Sequence, residues 1–295
     1  MNSAFKKMAI PYQVWLYLLA LVPVLMMAVL IFLDNEGLSL DEARFTFANF
    51  SAITESGNIY AFLMSFKFAI ISTVVMIVIG YFIAYRVFRS RFSNKFLVLT
   101  ILILPMWSNI LLRIEALGNI MEPNNIIVDL LNRIDINLYI NIKGTELAVI
   151  IGLVFTYLPF MILPIYTALE KIDYSLEEAA LDLGATDFKK FWKVIVPMST
   201  NGIITGSILV FLPSLSGFAI PKILGKGNIP SLGEIIERAF MNMTYNIGSL
   251  FAIIILIVIL CSIVIINKID KEGELLLWDN MKKLLFKNMD IEIIQ

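Results

Sequence analysis

Residues 147–168 read LAVIIGLVFTYLPFMILPIYTA, an uninterrupted apolar run with no charged side chain, flanked by Glu146 and Glu170. A helix needs about 20 mostly apolar residues to cross the hydrocarbon core of a bilayer. The run is long enough, and its length predicts a transmembrane helix rather than a buried strand. Working outward, Val14–Leu33, Phe68–Tyr85, Phe96–Leu112, Gly202–Ile220 and Gly248–Ile266 carry the same signature, each free of charge. The expected fold is an all-α integral membrane protein with six transmembrane helices. The first run follows Lys6 and Lys7, but it is longer than a signal-peptide core and no small-x-small cleavage pattern follows it, so it reads as an anchored helix.

Composition agrees. Of 295 residues, 59% are hydrophobic and 16% charged, against about 25% charged in soluble domains. Such a chain lacks the polar surface to cover itself, so lipid must cover part of it. A net charge of −1 offers nothing to nucleic acid. There is no histidine, which removes the commonest general base, proton relay and metal ligand. No catalytic or metal-ligating cluster is expected. The one cysteine, Cys261, sits in an apolar run and reads as a small buried hydrophobe.

Lysine and arginine set orientation. With the N-terminus inside, fifteen of the 23 fall in cytoplasmic segments, among them Arg86, Arg89, Arg91, Lys95, Lys171, Lys189, Lys190 and Lys193. The bias reads as a multi-pass membrane protein with both termini cytoplasmic. Pro23, Pro105, Pro159, Pro164 and Pro213 interrupt spans, each removing a backbone hydrogen bond and favouring a kink. Gly202 and Gly206 form a GxxxG pattern that lets two helix backbones approach.

The segment after the opening stretch, residues 170–197, reads EKIDYSLEEAALDLGATDFKKFWKVIVP. Ser175 and Glu178 form a capping box, predicting a helix that starts near Leu176. Ala179, Ala180 and Leu183 give it a small, apolar face, and Gly184 supplies a left-handed cap. Thr186 caps a second helix, with Phe188, Phe191, Trp192 and Ile195 opposite Lys189, Lys190 and Lys193. Local physics leaves two readings open: an interfacial amphipathic hairpin, or a knuckle that slots into a partner.

The pattern Glu178-Ala179-Ala180, then Gly184, then Val194-Ile195-Val196-Pro197 resembles the EAA motif of binding-protein-dependent ABC importer permeases, whose usual ending is Ile-x-Leu-Pro. The resemblance implies a type I ABC importer permease fold, with a coupling helix docking into a separate ATPase through Glu178, Ala179, Ala180, Gly184 and Pro197. The chain then divides into an N-terminal anchor and external loop (1–61), a permease domain (62–268) and a cytoplasmic tail (269–295). Over residues 60–268, the stretches at 104–115, 151–164 and 206–218 are similar to the spermidine/putrescine branch of that family. This implies polyamine import with an ATP-binding subunit dimer, a second and different permease chain, and an extracellular solute-binding protein. Permeases for sulfate, iron or thiamine share the architecture and stand as alternatives. A stand-alone carrier or channel would hold ionisable groups within its spans, and these spans have none. No GxxxxGK[ST] phosphate loop is present, so Mg-ATP is expected on a partner and no cofactor on this chain.

A polycationic solute calls for carboxylates and aromatic faces. Trp107, Asn109, Glu115 and Tyr157 are the expected lining of its route; packing, and for Glu115 an ion pair with Arg113, are the plainer alternatives. Finally, Ser231 and Glu234 form a second capping box before a helical repeat of apolar residues from Leu232 to Met243, predicting a short amphipathic helix outside.

Overall fold

The computed structural model describes residues 3–34, 43–91, 94–132 and 141–264. The expected tail, 269–295, lies outside the described residues. Among the described residues the secondary structure is helical apart from a small antiparallel pair, β1 (Leu33–Asp34) and β2 (Arg44–Phe45).

Three helices make the centre: α2 (Ser56–Arg89), α5 (Glu146–Glu170) and α8 (Thr200–Ser216), which pack pairwise along their lengths. Without a hydrophobic force between helices in lipid, close approach at small residues supplies the attraction. A Cβ on Gly202 would come within 2.6 Å of the Pro164 carbonyl oxygen and of the Ala168 Cβ, and one on Gly206 within 2.7 Å of Met161 Sδ. The GxxxG pattern is therefore the α5–α8 seam. Gly80 of α2 meets Met161 from the other side, at 2.8 Å from its Cγ. Met161, Ile165, Leu169, Ile195 and Val210 fill one half of this core, and Phe68, Ile114, Val149, Leu153 and Leu224 the other.

Around the centre run α1 (Ser3–Leu30), α3 (Lys95–Ile103), α4 (Ile110–Ile120), α6 (Tyr174–Asp182), α7 (Asp187–Lys190), α9 (Ala219–Leu224), α10 (Leu232–Met241) and α11 (Tyr245–Val264). Leu232, Leu250, Phe251, Ile255 and Ile31 join α10 and α11 to the end of α1. The Asn49 amide donates to the carbonyls of Ile31 (2.8 Å) and Leu33 (3.0 Å) and accepts from Asn246 (3.0 Å), fastening the same corner.

Two expected spans are not straight. Phe96–Leu112 breaks: residues 95–107 and 110–120 meet at 92°. The chain turns through a 3₁₀ segment, Leu104–Trp107, into extended Ser108 and Asn109. Asn109 then caps α4, accepting from the amides of Leu111 (2.8 Å) and Leu112 (3.4 Å), so a helix starts in the middle of what composition reads as one run. The run Gly202–Ile220 also ends early, because α8 stops at Ser216, Gly217 adopts ψ 135° and α9 begins anew. A 59° bend at Ser199 separates residues 187–198 from α8.

Among the described residues, α2, α5 and α11 are individually long and apolar enough to span a membrane, and each bent pair adds one span if it crosses as a unit. The apolar part of α1, Tyr17–Leu30, is shorter. Cys261, expected in a packed site, is exposed on α11; α11 buries little of its surface inside the chain, so its apolar faces are left for lipid or other chains.

Candidate functional site

The segment between α5 and α8 folds as helix, glycine turn, helix. Its N-cap is Asp173, whose carboxylate accepts from the Ser175 amide at 3.0 Å. That bond holds the Asp173 carboxyl below the usual carboxylate range. The expected cap, Ser175, is thus already inside the helix, which begins two residues earlier than the capping-box pattern predicts. Both residues suit a cap, and the carboxylate gains from the helix dipole. Gly184 lies at φ +79°, a region costing an L-residue about 1–2 kcal/mol. Thr186 caps α7 by accepting from Lys189 N at 3.4 Å.

Glu178, Ala179, Leu183 and Gly184 are exposed and Ala180 half-buried. Leu183 is 86% exposed and Phe188 73%. Nothing lies within 4 Å of the position a Cβ would take on Gly184. The knuckle so presents a low apolar ridge to whatever meets it.

The expected stripe of Phe188, Phe191, Trp192 and Ile195 is split. A π-helical turn at Phe191–Ile195 shifts the helical period ahead of Pro197 in the Val196–Met198 turn. Ile195 becomes fully buried, Phe191 packs edge-on against Tyr85 and Tyr81 (centroids 5.0 and 5.7 Å), and Phe188 and Trp192 stay exposed.

The residue missed by sequence reasoning is Glu177. It is 2% exposed, an unusual state for a carboxylate unless paired. Its Oε2 takes a hydrogen bond from Arg89 Nη2 at the end of α2 and lies 3.7 Å from Lys190 Nζ. Lys190 also pairs with Asp187 at 2.9 Å, which lowers the Asp187 carboxyl and raises the lysine. Removing one partner of a buried pair costs about 3–5 kcal/mol; Arg89 is 30% exposed, so the lower end applies here. An i,i+7 search would not have found this pair. The only signal was two adjacent glutamates on a helix that buries one face.

The four expected route residues stand in different settings. Trp107 is 90% exposed beside the break, and Asn109 is the cap described above. Glu115 points to Lys143 (3.8 Å), while Arg113 donates from Nη1 to the Pro105 carbonyl at 2.5 Å, so the anticipated Glu115–Arg113 pair is replaced. That carbonyl also accepts from the amide (3.3 Å) and hydroxyl (2.7 Å) of Ser108, so three donors converge on it at the turn. Tyr157 lies inside, its hydroxyl 3.6 Å from the Cβ position of Gly217 and its ring against Phe160 (6.4 Å).

At the other end of the bundle, α10 begins as expected: Ser231 Oγ accepts from Glu234 N at 3.3 Å. Glu234, however, turns to Arg238 (2.7 Å) rather than closing the box. Leu232 N donates to Ser65 Oγ of α2 at 2.8 Å. Lys143 and Lys226 share Glu122, each at 3.2 Å, and lower its carboxyl below the usual range. No group of three or more potential metal ligands occurs among the described residues.

A seam of long apolar helices, with a capped knuckle projecting from one end, marks a multi-pass membrane protein. Residues 95–270 match the family described as binding-protein-dependent transport system inner membrane component, and the chain belongs to it. It is 34% identical over 244 residues to the spermidine/putrescine transport system permease protein PotB of Haemophilus influenzae, covering 81% of this chain and 85% of that protein. PotB of Escherichia coli K12 is 34% identical over 230 residues, covering 78% and 84% respectively. Among solved structures, a bacterial alginate ABC transporter in complex with its alginate pentasaccharide-bound periplasmic protein aligns with a TM-score of 0.74 over 91% of this chain and 94% of that one. At 16% identity the likeness is one of fold, that of a type I ABC importer permease.

Proposed function

We propose that this chain is the membrane-spanning subunit of an ATP-driven importer of polyamines, spermidine and putrescine. The observation that carries the transport mechanism is the exposed knuckle of Glu178, Ala179 and Gly184 on a rigid capped turn. Small side chains bring the backbone close to a partner, and a left-handed glycine fixes the turn, so little flexibility intervenes between a push and the bundle. The bias of lysine and arginine puts this face in the cytoplasm, with both termini. The force comes from an ATP-binding subunit dimer that holds Mg-ATP; a second, different permease chain completes the path, and an extracellular solute-binding protein delivers the cargo. The named relatives support the choice of polyamines over sulfate, iron or thiamine.

Cysteines in place of Ala179 or Gly184 are expected to cross-link to a co-purifying ATPase in native vesicles. Reconstituted complex with its binding protein is expected to take up labelled spermidine or putrescine on addition of ATP. Cross-linking to no other polypeptide would overturn the coupling role; ATP-dependent uptake of sulfate, iron or thiamine instead would overturn the substrate.

A further inference from the structure

We propose that α2 is the transmission rod of this permease, and that the Arg89–Glu177 pair is the joint through which the knuckle drives it. The proposal rests on the coupling role above and adds where the push goes next.

Three kinds of contact join the knuckle segment to one end of α2. Glu177, on the face of α6 turned away from Glu178 and Ala179, is held by Arg89. Arg89 is itself aligned by its neighbours: its guanidinium sits over the rings of Tyr85 (5.5 Å) and Phe88 (5.3 Å), and its Nε donates to the Tyr85 hydroxyl at 3.4 Å. Phe191 of the π-helical turn stands edge-on to Tyr81 and Tyr85. Beyond the turn, the Tyr81 hydroxyl and Ser199 Oγ are hydrogen-bonded at 2.9 Å, at the 59° bend where α8 begins. The charge-assisted hydrogen bond of Arg89 to Glu177 is the strongest polar member of this set, whereas ring contacts slide.

The other end of α2 is also pinned. Ser65 Oγ accepts from the amide of Leu232, the first residue of α10. Between Ser65 and Arg89 the helix is unbroken and contains no proline, unlike α5 and α8. At 1.5 Å per residue the two pins are about 36 Å apart along the axis. A helix without proline lacks the kink points that α5 and α8 carry, so a displacement at one end is passed along its length. Displacement of α6 by a partner therefore shifts α2 and, through Leu232, the start of α10. Glu178 and Gly184 meet the partner; Glu177 and Arg89 are positioning residues that pass the displacement on.

The test uses the reconstituted complex with its ATPase, sister permease and binding protein. Arg89→Gln, Glu177→Gln and the double variant are compared for substrate imported per ATP hydrolysed, normalised to assembled complex. The expected result is a fall of at least tenfold in that ratio for either single variant, with continued ATP hydrolysis and no further fall in the double. If a Gln variant does not assemble, Arg89→Lys and Glu177→Asp carry the test: they keep the charges but alter the reach, and the ratio should fall severalfold. An unchanged ratio in the assembled variants overturns the proposal. A second readout places a cysteine at exposed Met241 of α10 in a Cys261→Ser background. ATP should change its labelling by an impermeant maleimide severalfold in the otherwise unaltered complex, and not in Glu177→Gln; equal responses overturn the rod. A complex that retains no ATPase would instead defeat the coupling role itself, a separate outcome.

Discussion

Glu177 and Glu178 are neighbours with opposite environments: one is almost wholly buried against Arg89, the other stands in the open. The sequence pattern singles out Glu178 because it begins the small-residue motif, and it passes over Glu177. The capping-box reading contributes to that miss. It starts the helix near Leu176, whereas Asp173 wins the cap and the helix starts at Tyr174. Gly184, by contrast, was legible at residue level, since a glycine after an apolar helix face signals a left-handed cap. Its two properties can be separated. Gly184→Ala should destabilise the turn by about 1 kcal/mol and lower uptake. Gly184→Asn tolerates the same backbone but adds bulk to the docking ridge. If Asn restores the loop's resistance to limited proteolysis without restoring uptake, contact rather than conformation limits the partner.

At the level of elements, the GxxxG seam was readable and the breaks were not. Gly202 and Gly206 announce close approach by lacking side chains, and the structure places them against Pro164, Ala168 and Met161. Gly206→Leu should therefore overpack the seam, at about 1–3 kcal/mol or more, seen as reduced thermal stability of detergent-purified protein; Gly57→Ala, with nothing within 4 Å of the added Cβ, should cost far less. The 92° turn escaped because residues on both sides of it are equally apolar, so hydropathy carries no mark of the corner. Asn109 was the available sign: Asn before an apolar run is a cap signal. Asn109→Ala should cost about 1 kcal/mol through the lost cap, with a loss of thermal stability that Tyr157→Ala need not reproduce at the corner.

The outer clasp of Lys143, Glu122 and Lys226 gives a pH prediction at the same scale. Its carboxylate titrates lower in the folded chain than in the unfolded one. The contribution is thus present at neutral pH and is lost as pH falls through that lowered value. Hydrogen exchange of residues 141–145 in detergent should accelerate only under strongly acidic conditions, and Glu122→Gln should remove the dependence. Raised salt should weaken the same clasp, because Glu122 and Lys226 are partly exposed and screened.

For the whole molecule, the class was legible because lipid imposes a simple composition rule, while three to five of the six expected spans are recognisable by length and composition among the described residues. The arrangement of helices was not legible, since it depends on which glycines and prolines meet. The expected route is harder to read still: Trp107 is exposed beside the corner, Glu115 pairs with Lys143, and Tyr157 packs on Phe160. Replacing all four expected route residues with alanine should consequently reduce uptake mainly through Tyr157 and the Asn109 cap. Comparing that variant with Tyr157→Ala alone, at matched expression, measures how much the others add.

The corner at Pro105 also says which way the chain faces. Where helices stop and restart, backbone amides and carbonyls are released, and acyl chains offer them nothing. Arg113 and Ser108 answer one such carbonyl, and at Gly217 this chain itself covers the break, with the amide donating to the Pro213 carbonyl and Gly233 of α10 packed against Ser216 and Gly217. The corner beside exposed Trp107 thus acts as a compass, marking a sector of this subunit that is turned away from the surrounding fat.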